Sequence, residues 1–290
     1  MTGDSGLLSP IIIGLLYGGL YAMIALGLSM VFGVMRLINL AHGDLVILGS
    51  YLSFTLWSYL GFDPIVSLIL TIPVLFGLGF VIQQYLMRRA FAISAEAPLI
   101  IAFGISLILQ NFNQIIWQPQ SRGISTTYSM ASFNIGPAQF PVSYLLDFVV
   151  ALVVMLVLRE FLRRTYMGRA ITAASQDNKA AQLMGVNTRM IYGFAFAIAM
   201  ISAAIAGTFL GMTFPFTPLS GTQFLIIAFG VVIIGGLGSL FGTFLGGLIL
   251  GLVQTLAGYF FGAAAQMFFV YLAVLIVLAI RPQGLLGVKR

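Results

Sequence analysis

One charge-free stretch decides the class of this protein. It runs from Met190 to Ile280 and reads MIYGFAFAIAMISAAIAGTFLGMTFPFTPLSGTQFLIIAFGVVIIGGLGSLFGTFLGGLILGLVQTLAGYFFGAAAQMFFVYLAVLIVLAI. A helix needs about 20 apolar residues to cross a bilayer, so this stretch is too long for one crossing and must fold back several times. Other charge-free stretches cover Ser5 to Met35, Leu45 to Phe62, Ile65 to Met87 and Ala97 to Ser121.

The composition supports the same conclusion and excludes several functions. Of the 290 residues, 60% are hydrophobic and 7% are charged, whereas a soluble domain carries about 25% charged residues. We therefore predict one transmembrane domain over residues 1–290, an all-α polytopic helix bundle. With no cysteine and one histidine, thiol chemistry and multi-histidine metal sites are excluded. Neither Lys179 nor Lys289 follows a glycine-rich phosphate loop, so we predict no catalytic residue, metal or cofactor.

The hydrophobic pattern predicts about eight to nine spans. Their limits lie near Leu7–Phe32, Leu45–Leu60, Pro64–Leu86, Pro98–Trp117, Pro141–Leu162, Ile191–Gly211, Gln223–Leu240, Phe241–Tyr259 and Ala264–Ile280. The first is expected to be a retained span, because no basic region precedes it as in a signal peptide. Four crossings fit between Arg189 and Arg281, although two crossings and a re-entrant segment at Gly235–Gly242 would also fit.

The basic residues indicate the orientation. With Arg88 and Arg89 in the cytoplasm, alternation of the spans places 12 of the 13 basic residues inside and only Arg122 outside. This bias follows the positive-inside rule. It puts the N-terminus outside and Arg281 to Arg290 in the cytoplasm. The net charge of +6 is therefore a topology signal in a lipid bilayer and does not indicate nucleic-acid binding.

An internal repeat indicates inverted symmetry. The hexapeptide LIIAFG occurs at Leu99–Gly104 and again at Leu225–Gly230. In the predicted topology the first copy begins a span from inside and the second begins one from outside. Many transporters are built from two such inverted halves.

Few polar residues fall within the spans. Asn39, His42 and Asp44 are expected at the inner end of the first spans, either as a proton relay or as a hydrogen-bonded cluster that holds a turn. A second cluster lies near the outer end of the fourth span and could line a transport pathway or bond to neighbouring helices. Its members are Gln110, Asn111, Asn113 and Gln114. Asp147 is expected to reach water at the outer end of its span.

Three loops are candidates for contact with other proteins. The loops Gln118–Phe140 and Thr213–Thr222 are predicted outside, where they connect spans or contact an extracytoplasmic partner. The segment 163–190 is predicted inside and is rich in helix-forming Ala, Gln, Leu and Met. We expect a short helix across the cytoplasmic face with boundaries at Asn178 and Gly185. The alternative is a simple basic loop between helices.

Several motifs in this chain resemble a known family. Ala180-Ala181-x-x-x-Gly185 resembles the "EAA" loop by which permeases of ATP-binding-cassette (ABC) importers dock on their ATPases, with Lys179 in place of the usual glutamate. More specifically, the chain resembles the LivH-type permeases of branched-chain amino acid importers from Ile12 to Gly287. The matching segments are GGLYAMIALGL from Gly18, FGVMRLINLAHGD from Phe32, GRA from Gly168, DNKAAQLMGV from Asp177, GGLGSLFG from Gly235 and RPQGLLG from Arg281.

The resemblance implies the partners and the docking residues. The assembly would lie in a prokaryotic plasma membrane and would contain two cytoplasmic ATPase subunits, a second and non-identical permease, and an extracytoplasmic substrate-binding protein. ATP hydrolysis on the ATPases would drive import of branched-chain amino acids, so this chain itself would not be an enzyme. The docking role falls on the motif positions, namely Gly168, Arg169, Asp177, Asn178, Ala180, Ala181 and Gly185. The pathway candidates are Asn39, His42, Gln110, Asn113 and Gln114.

Two other functions compete with this prediction. A permease for urea or short-chain amides would have a similar sequence in these same segments. A stand-alone channel or ion-coupled carrier belongs to a different class and is expected to carry ionisable groups at mid-membrane depth. The predicted topology places the charges of this chain at the ends of its spans, which favours the ATP-driven importer.

Overall fold

The structure is a computed structural model that describes residues 6–94, 96–135, 138–281 and 283–287. It is a bundle of helices, and the predicted fold class is confirmed. The predicted tail residues Pro282, Lys289 and Arg290 lie outside the described residues.

The first half of the chain contains five helices. They are α1 (Leu8–Met35), α2 (His42–Leu60), α3 (Pro64–Val81), α4 (Arg88–Phe91) and α5 (Ala97–Trp117), with a π-helical segment at Ile82–Met87 that joins α3 to α4. A tight turn separates α2 from α3. Gly61 ends α2 with φ of 68°, and Asp63 then caps α3 by accepting a hydrogen bond from the Ile65 amide at 2.8 Å.

The second half contains a hairpin and seven helices. The strands β1 (Ser132–Ile135) and β2 (Ala138–Pro141) are antiparallel and pair Ser132 with Pro141. The helices are α6 (Val142–Arg164), α7 (Tyr166–Gln176), α8 (Asn178–Leu183), α9 (Thr188–Thr213), α10 (Ser220–Gly235), α11 (Leu240–Phe261) and α12 (Gln266–Ile280), the last preceded by a 3₁₀ turn at Ala263–Ala265. The hairpin is a small addition to the predicted all-α bundle.

Each predicted span corresponds to a helix in the structure. Among the described residues, six helical segments are long and apolar enough to cross a membrane. The other three are α2, α6 and α10. Helix α6 ends in a charged turn with Arg163 and Arg164, and α10 has 16 residues. Four helices, α9 to α12, occupy the long charge-free stretch, and a turn rather than a re-entrant helix fills positions 236–239.

The ends of the bundle differ in charge. Met35, Arg88 and Arg189 line one cavity at the same end of the bundle, and the turn after α10 also lies there because Gly238 contacts Gly33 at the end of α1. We call this the basic end. At the opposite end, the predicted outer loops pair with each other, since the Arg122 amide donates to the Phe216 carbonyl at 2.9 Å.

The two copies of the hexapeptide repeat lie in helices of opposite direction. Helix α5 begins next to α4 at the basic end and finishes at Trp117, whose indole N–H donates to Thr55 at the opposite end. Helix α10 runs the other way and ends at the basic end. The chain's last described residues cover that end, because the Leu285 amide donates to the Ile234 carbonyl at 2.8 Å. The motif GGLGSLFG from Gly235 and the described part of the motif RPQGLLG from Arg281 therefore pack against each other.

Helices α1 and α9 form the centre of the bundle. Both are apolar on all sides and mostly buried, as expected of a core helix within a membrane domain. Helices α3, α5 and α12 instead expose large apolar side chains, among them Ile69, Ile108 and Leu275. Such an apolar outer surface is suited to lipid.

The most extensive helix contact joins α1 to α11. A β-carbon added at Gly18 would overlap the Gly247 carbonyl oxygen, and one added at Gly247 would overlap the backbone of Ala22. Small residues allow two helix backbones to approach this closely in a membrane. The pairs Gly14-x-x-x-Gly18 of α1 and Gly247-x-x-x-Gly251 of α11 are therefore packing residues at the centre of the fold.

Gly247→Val is expected to destabilise the chain, since overpacking a close contact costs about 1–3 kcal/mol or more. The matched control is Gly77→Val in α3, where an added β-carbon meets no atom within 4 Å. The measurement is the midpoint of unfolding of the purified chain in a denaturing-detergent titration. Equal midpoints for both variants would contradict the importance of the α1–α11 contact.

Candidate functional site

Helix α2 begins in the middle of the bundle. Arg36 ends α1 in a left-handed conformation with φ of 53°, and a non-helical segment, 36–41, then runs back beside α1. As a result, His42 Nε2 lies 2.8 Å from the carbonyl oxygen of Ile24, about halfway along α1. The prediction that Asn39, His42 and Asp44 lie at the inner end of the first spans is therefore wrong, because the start of α2 lies near the middle of the bundle.

Asp44 joins three helices at this depth. Its carboxylate accepts a hydrogen bond from the Ser106 hydroxyl of α5. The Gln110 side-chain amide donates to both carboxylate oxygens at 3.2 and 3.3 Å. The same amide lies 3.3 Å from the Thr222 hydroxyl in the first turn of α10. We call Asp44, Ser106, Gln110 and Thr222 the central polar cluster.

The beginnings of α2 and α10 meet at this cluster. Asp44 lies in the first turn of α2, and the glycines Gly43 and Gly221 allow contact with the first turn of α10, because a β-carbon at either would overlap the other helix. The free N–H groups of a helix N-terminus carry partial positive charge and stabilise a carboxylate. Two such termini converge on Asp44, which is 2% exposed.

Asn39 and His42 both bond to backbone groups, Asn39 within the turn and His42 on α1. The Asn39 side-chain oxygen accepts from the Ala41 amide at 3.1 Å, and His42 bonds to Ile24. Within the described ranges no hydrogen bond links His42 to Asp44, and His42 Nδ1 is buried with no partner. This geometry favours the turn-holding interpretation over the proton relay.

The predicted Gln/Asn cluster divides between two faces of α5. Gln110 and Gln114 are partly buried, and Asn111 is exposed and donates to the Leu107 carbonyl at 2.7 Å. Asn113 is fully buried, and both atoms of its amide group have no hydrogen-bond partner in the described part of the chain. Ser106, Gln110 and Asn113 are spaced i, i+4 and i+7, so they form one polar face toward α2.

Asp147 is buried, which contradicts the expectation that it reaches water. Its side chain has no exposed surface, and one carboxylate oxygen accepts from the Thr213 hydroxyl at 2.8 Å.

A further buried polar group was not predicted. In it, the Tyr21 hydroxyl donates to the side-chain oxygen of Gln254 at 2.5 Å, and Gln254 in turn donates to Tyr17 at 3.2 Å. Sequence spacing gave no signal for these pairs, because their members are more than 200 positions apart.

The basic end carries a second candidate site, formed by α7 and α8. The Thr165 hydroxyl caps α7 by accepting from the Gly168 amide at 2.9 Å. Asp177 then ends α7 and caps α8, since its carboxylate accepts from the amides of Lys179 and Ala180 at 2.9 and 3.0 Å. The predicted short helix with boundaries at Asn178 and Gly185 therefore corresponds to α8, and α7 is a second helix that was not predicted.

The docking candidates fall into two groups. Gly168 and Ala181 are buried, and Gly168 packs so closely on α6 that a β-carbon would overlap the Phe161 carbonyl. Gly185 ends the α8 turn with φ of 84° and has open space around it. The other candidates are exposed, namely Arg169, Asp177, Asn178 and Ala180. Leu183 and Met184, which were not predicted, are 89% and 85% exposed and add an apolar edge to α8.

Comparison with known proteins relates this architecture to transport. The family model described as "Branched-chain amino acid transport system / permease component" matches residues 11–280. The chain is 33% identical to the high-affinity branched-chain amino acid transport system permease protein BraD of Pseudomonas aeruginosa, covering 97% of this chain and 95% of BraD. It is 30% identical to LivH of Escherichia coli, covering 94% and 93% of the two chains.

A solved structure has a similar fold. PsaBC from Streptococcus pneumoniae, determined in complex with a Fab, superimposes with a TM-score of 0.52 and covers 94% of this chain and 92% of that chain. The sequence identity is 14%, so this similarity concerns the fold alone.

Asp177→Ala is expected to destabilise α8 by about 1 kcal/mol, because the first amides of α8 lose their cap. The measurement is hydrogen exchange of the amides at 178–183, which should become about fivefold faster. Asn178→Ala is the matched control, since among the described residues the Asn178 side chain bonds only to Gln182, at 2.9 Å. Equal exchange in the two variants would contradict the capping role of Asp177.

Proposed function

The chain belongs to the family of permease components of branched-chain amino acid transport systems, and from this premise we propose that it is a transmembrane subunit of an ABC importer that moves branched-chain amino acids inward. The observation that carries the proposal is the family match over residues 11–280. The exposed α7–α8 surface supports it, because a permease without an ATP site needs a contact through which an ATPase drives it.

The basic end faces the cytoplasm in this proposal. Arg88, Arg163 and Arg189 lie there with α7 and α8, and the positive-inside rule assigns such an end to the cytoplasm. The N-terminus is then outside. The loops joined by the Arg122–Phe216 bridge also lie outside, where a substrate-binding protein would deliver its ligand.

Helix α8 is the proposed contact with an ATPase subunit. It places Ala180, Leu183 and Met184 at the surface of the basic end. A small residue beside two exposed apolar side chains is suited to a groove on another protein. Closure of two ATPases would move α8, and the packing of Gly168 on α6 would transmit this motion to the spans.

Helix α5 marks the proposed side of the transport pathway. Little of α5 is buried within this chain, yet Asn111 is exposed and Gln110 and Gln114 are partly exposed. Polar side chains are costly against lipid, so a second permease subunit is expected to cover this face. The pathway would then run between the two permeases, past the central polar cluster.

One observation favours the carrier alternative. Asp44 is an ionisable residue in the middle of the bundle, whereas the sequence predicts charges only at the ends of the spans. Ion-coupled carriers use groups at this depth. The requirement for ATP separates the two functions.

Leucine uptake by the complete assembly in proteoliposomes is expected to require ATP on the side of α7 and α8. An ionophore that removes proton and sodium gradients should leave the uptake unchanged, because hydrolysis supplies the driving force. Uptake that proceeds without ATP and stops with the ionophore would contradict the importer and support the carrier.

Ala180→Trp is expected to abolish co-purification of the ATPase subunits, since an indole ring would block the contact face of α8 without changing its fold. Ala180 suits this test better than Gly185, where a φ of 84° means that any side chain also strains the turn. Met130→Trp, at an exposed position of the opposite end, is the matched control. Recovery of the ATPases with both variants would rule out α8 as the contact.

A further inference from the structure

Asp44 is a buried acid without a protein cation. The structure has one ion pair among its described residues, between Arg164 and Glu160, and Asp44 takes no part in it. A carboxylate offers about four acceptor positions. Ser106 and Gln110 supply its neutral donors. A buried carboxylate normally finds a positive partner, so this site is suited to a cation that arrives with a ligand.

The first turn of α10 offers the complementary charge beside Asp44. Its N-cap position, Leu219, provides no side-chain cap. The Ser220 amide donates to the Thr217 carbonyl at 3.1 Å, so the amides that follow Ser220 begin α10 without a capping side chain. The exposed Thr222 hydroxyl lies in the same turn, 3.3 Å from the Gln110 amide. An uncapped helix N-terminus of this length binds carboxylates. An acceptor for a cation and donors for an anion therefore lie side by side.

The polar face of α5 also has hydrogen-bonding groups without a partner among the described residues, close to the central polar cluster. Asn113 is one helical turn beyond Gln110, fully buried, and both atoms of its amide lack a partner among the described residues. Buried polar groups are almost always paired in a native structure. Next to this face, Phe103 and Leu107 are exposed apolar residues of the same helix. A ligand with a charged head and an aliphatic tail would satisfy both features.

We infer that the junction of α2, α5 and α10 binds the zwitterionic head of the transported amino acid. The substrate's α-ammonium group bonds to the Asp44 carboxylate, and its α-carboxylate bonds to the first N–H groups of α10 and the Thr222 hydroxyl. The aliphatic side chain lies along Phe103 and Leu107. This inference rests on the proposed function and deepens it, because uncharged urea and amides would leave Asp44 without a counter-charge.

The test begins with Asp44→Asn in the complete transporter, with its partner permease, ATPases and binding protein, in proteoliposomes. The substitution keeps the size of the side chain and removes its charge. Leucine uptake is expected to fall at least about tenfold, the loss of one charge-assisted hydrogen bond, with unchanged recovery of the subunits. Asp147→Asn, at the other buried acid that bonds to a threonine, is the matched control and should stay within about twofold of the unmutated protein.

A labelling experiment separates binding from a structural effect. The chain has no cysteine, so Thr222→Cys provides a single thiol at the site. Leucine is expected to slow the reaction of this thiol with a cationic methanethiosulfonate reagent. The analogue 4-methylpentanoate has the same tail and carboxylate but no ammonium group, and should give no protection. Protection by leucine should also disappear when Asp44→Asn is added.

Three results would overturn the inference. They are unchanged leucine uptake with Asp44→Asn, equal protection by leucine with and without the Asp44 carboxylate, and equal protection by 4-methylpentanoate. Failure of the proposed function gives a different result, since the unmutated assembly would then take up no leucine even with ATP.

Discussion

The backbone contact between α1 and α11 is the constraint on which the rest of the structure depends. Gly18 and Gly247 remove the side chains that would separate the two helices, and α1 is thereby enclosed by α6, α9, α10 and α11. In a membrane, close packing replaces the hydrophobic effect as the force between helices. Because this packing fixes the position of α1, the segment that follows it can run back into the bundle alongside α1.

That returning segment creates the interior site. The chain reverses at Arg36, so α2 starts beside Ile24 rather than at the end of the bundle. Backbone without helical bonds is tolerated at this depth only when protein covers it. The Asn39 side chain supplies a hydrogen bond to this backbone, and His42 fixes the end of the segment to Ile24 of α1. The start of α2 and the start of α10 then meet at Asp44. A closed stack of full-length helices would contain no such junction.

Much of the fold could be predicted from the sequence, and the depth of its elements could not. Hydrophobic runs located every span because they report which residues avoid water. They carry no information on where in the bilayer a helix begins, so Asp44 was assigned to the wrong depth and Asp147 was expected at the surface. The contacts of Asp44 with Gln110 and Thr222 depend on tertiary packing. The start of α8 could be predicted from the sequence, because Asp177 before a helix-forming run is a typical N-cap.

The proposed function makes this chain a permease that separate ATPase subunits drive. The most direct test is to extract the chain from its native membrane in mild detergent and to identify the co-purifying chains by mass spectrometry. We predict two ATPase chains and a second, non-identical permease. Recovery of this chain alone, in a form that transports leucine in liposomes without ATP, would contradict the claim.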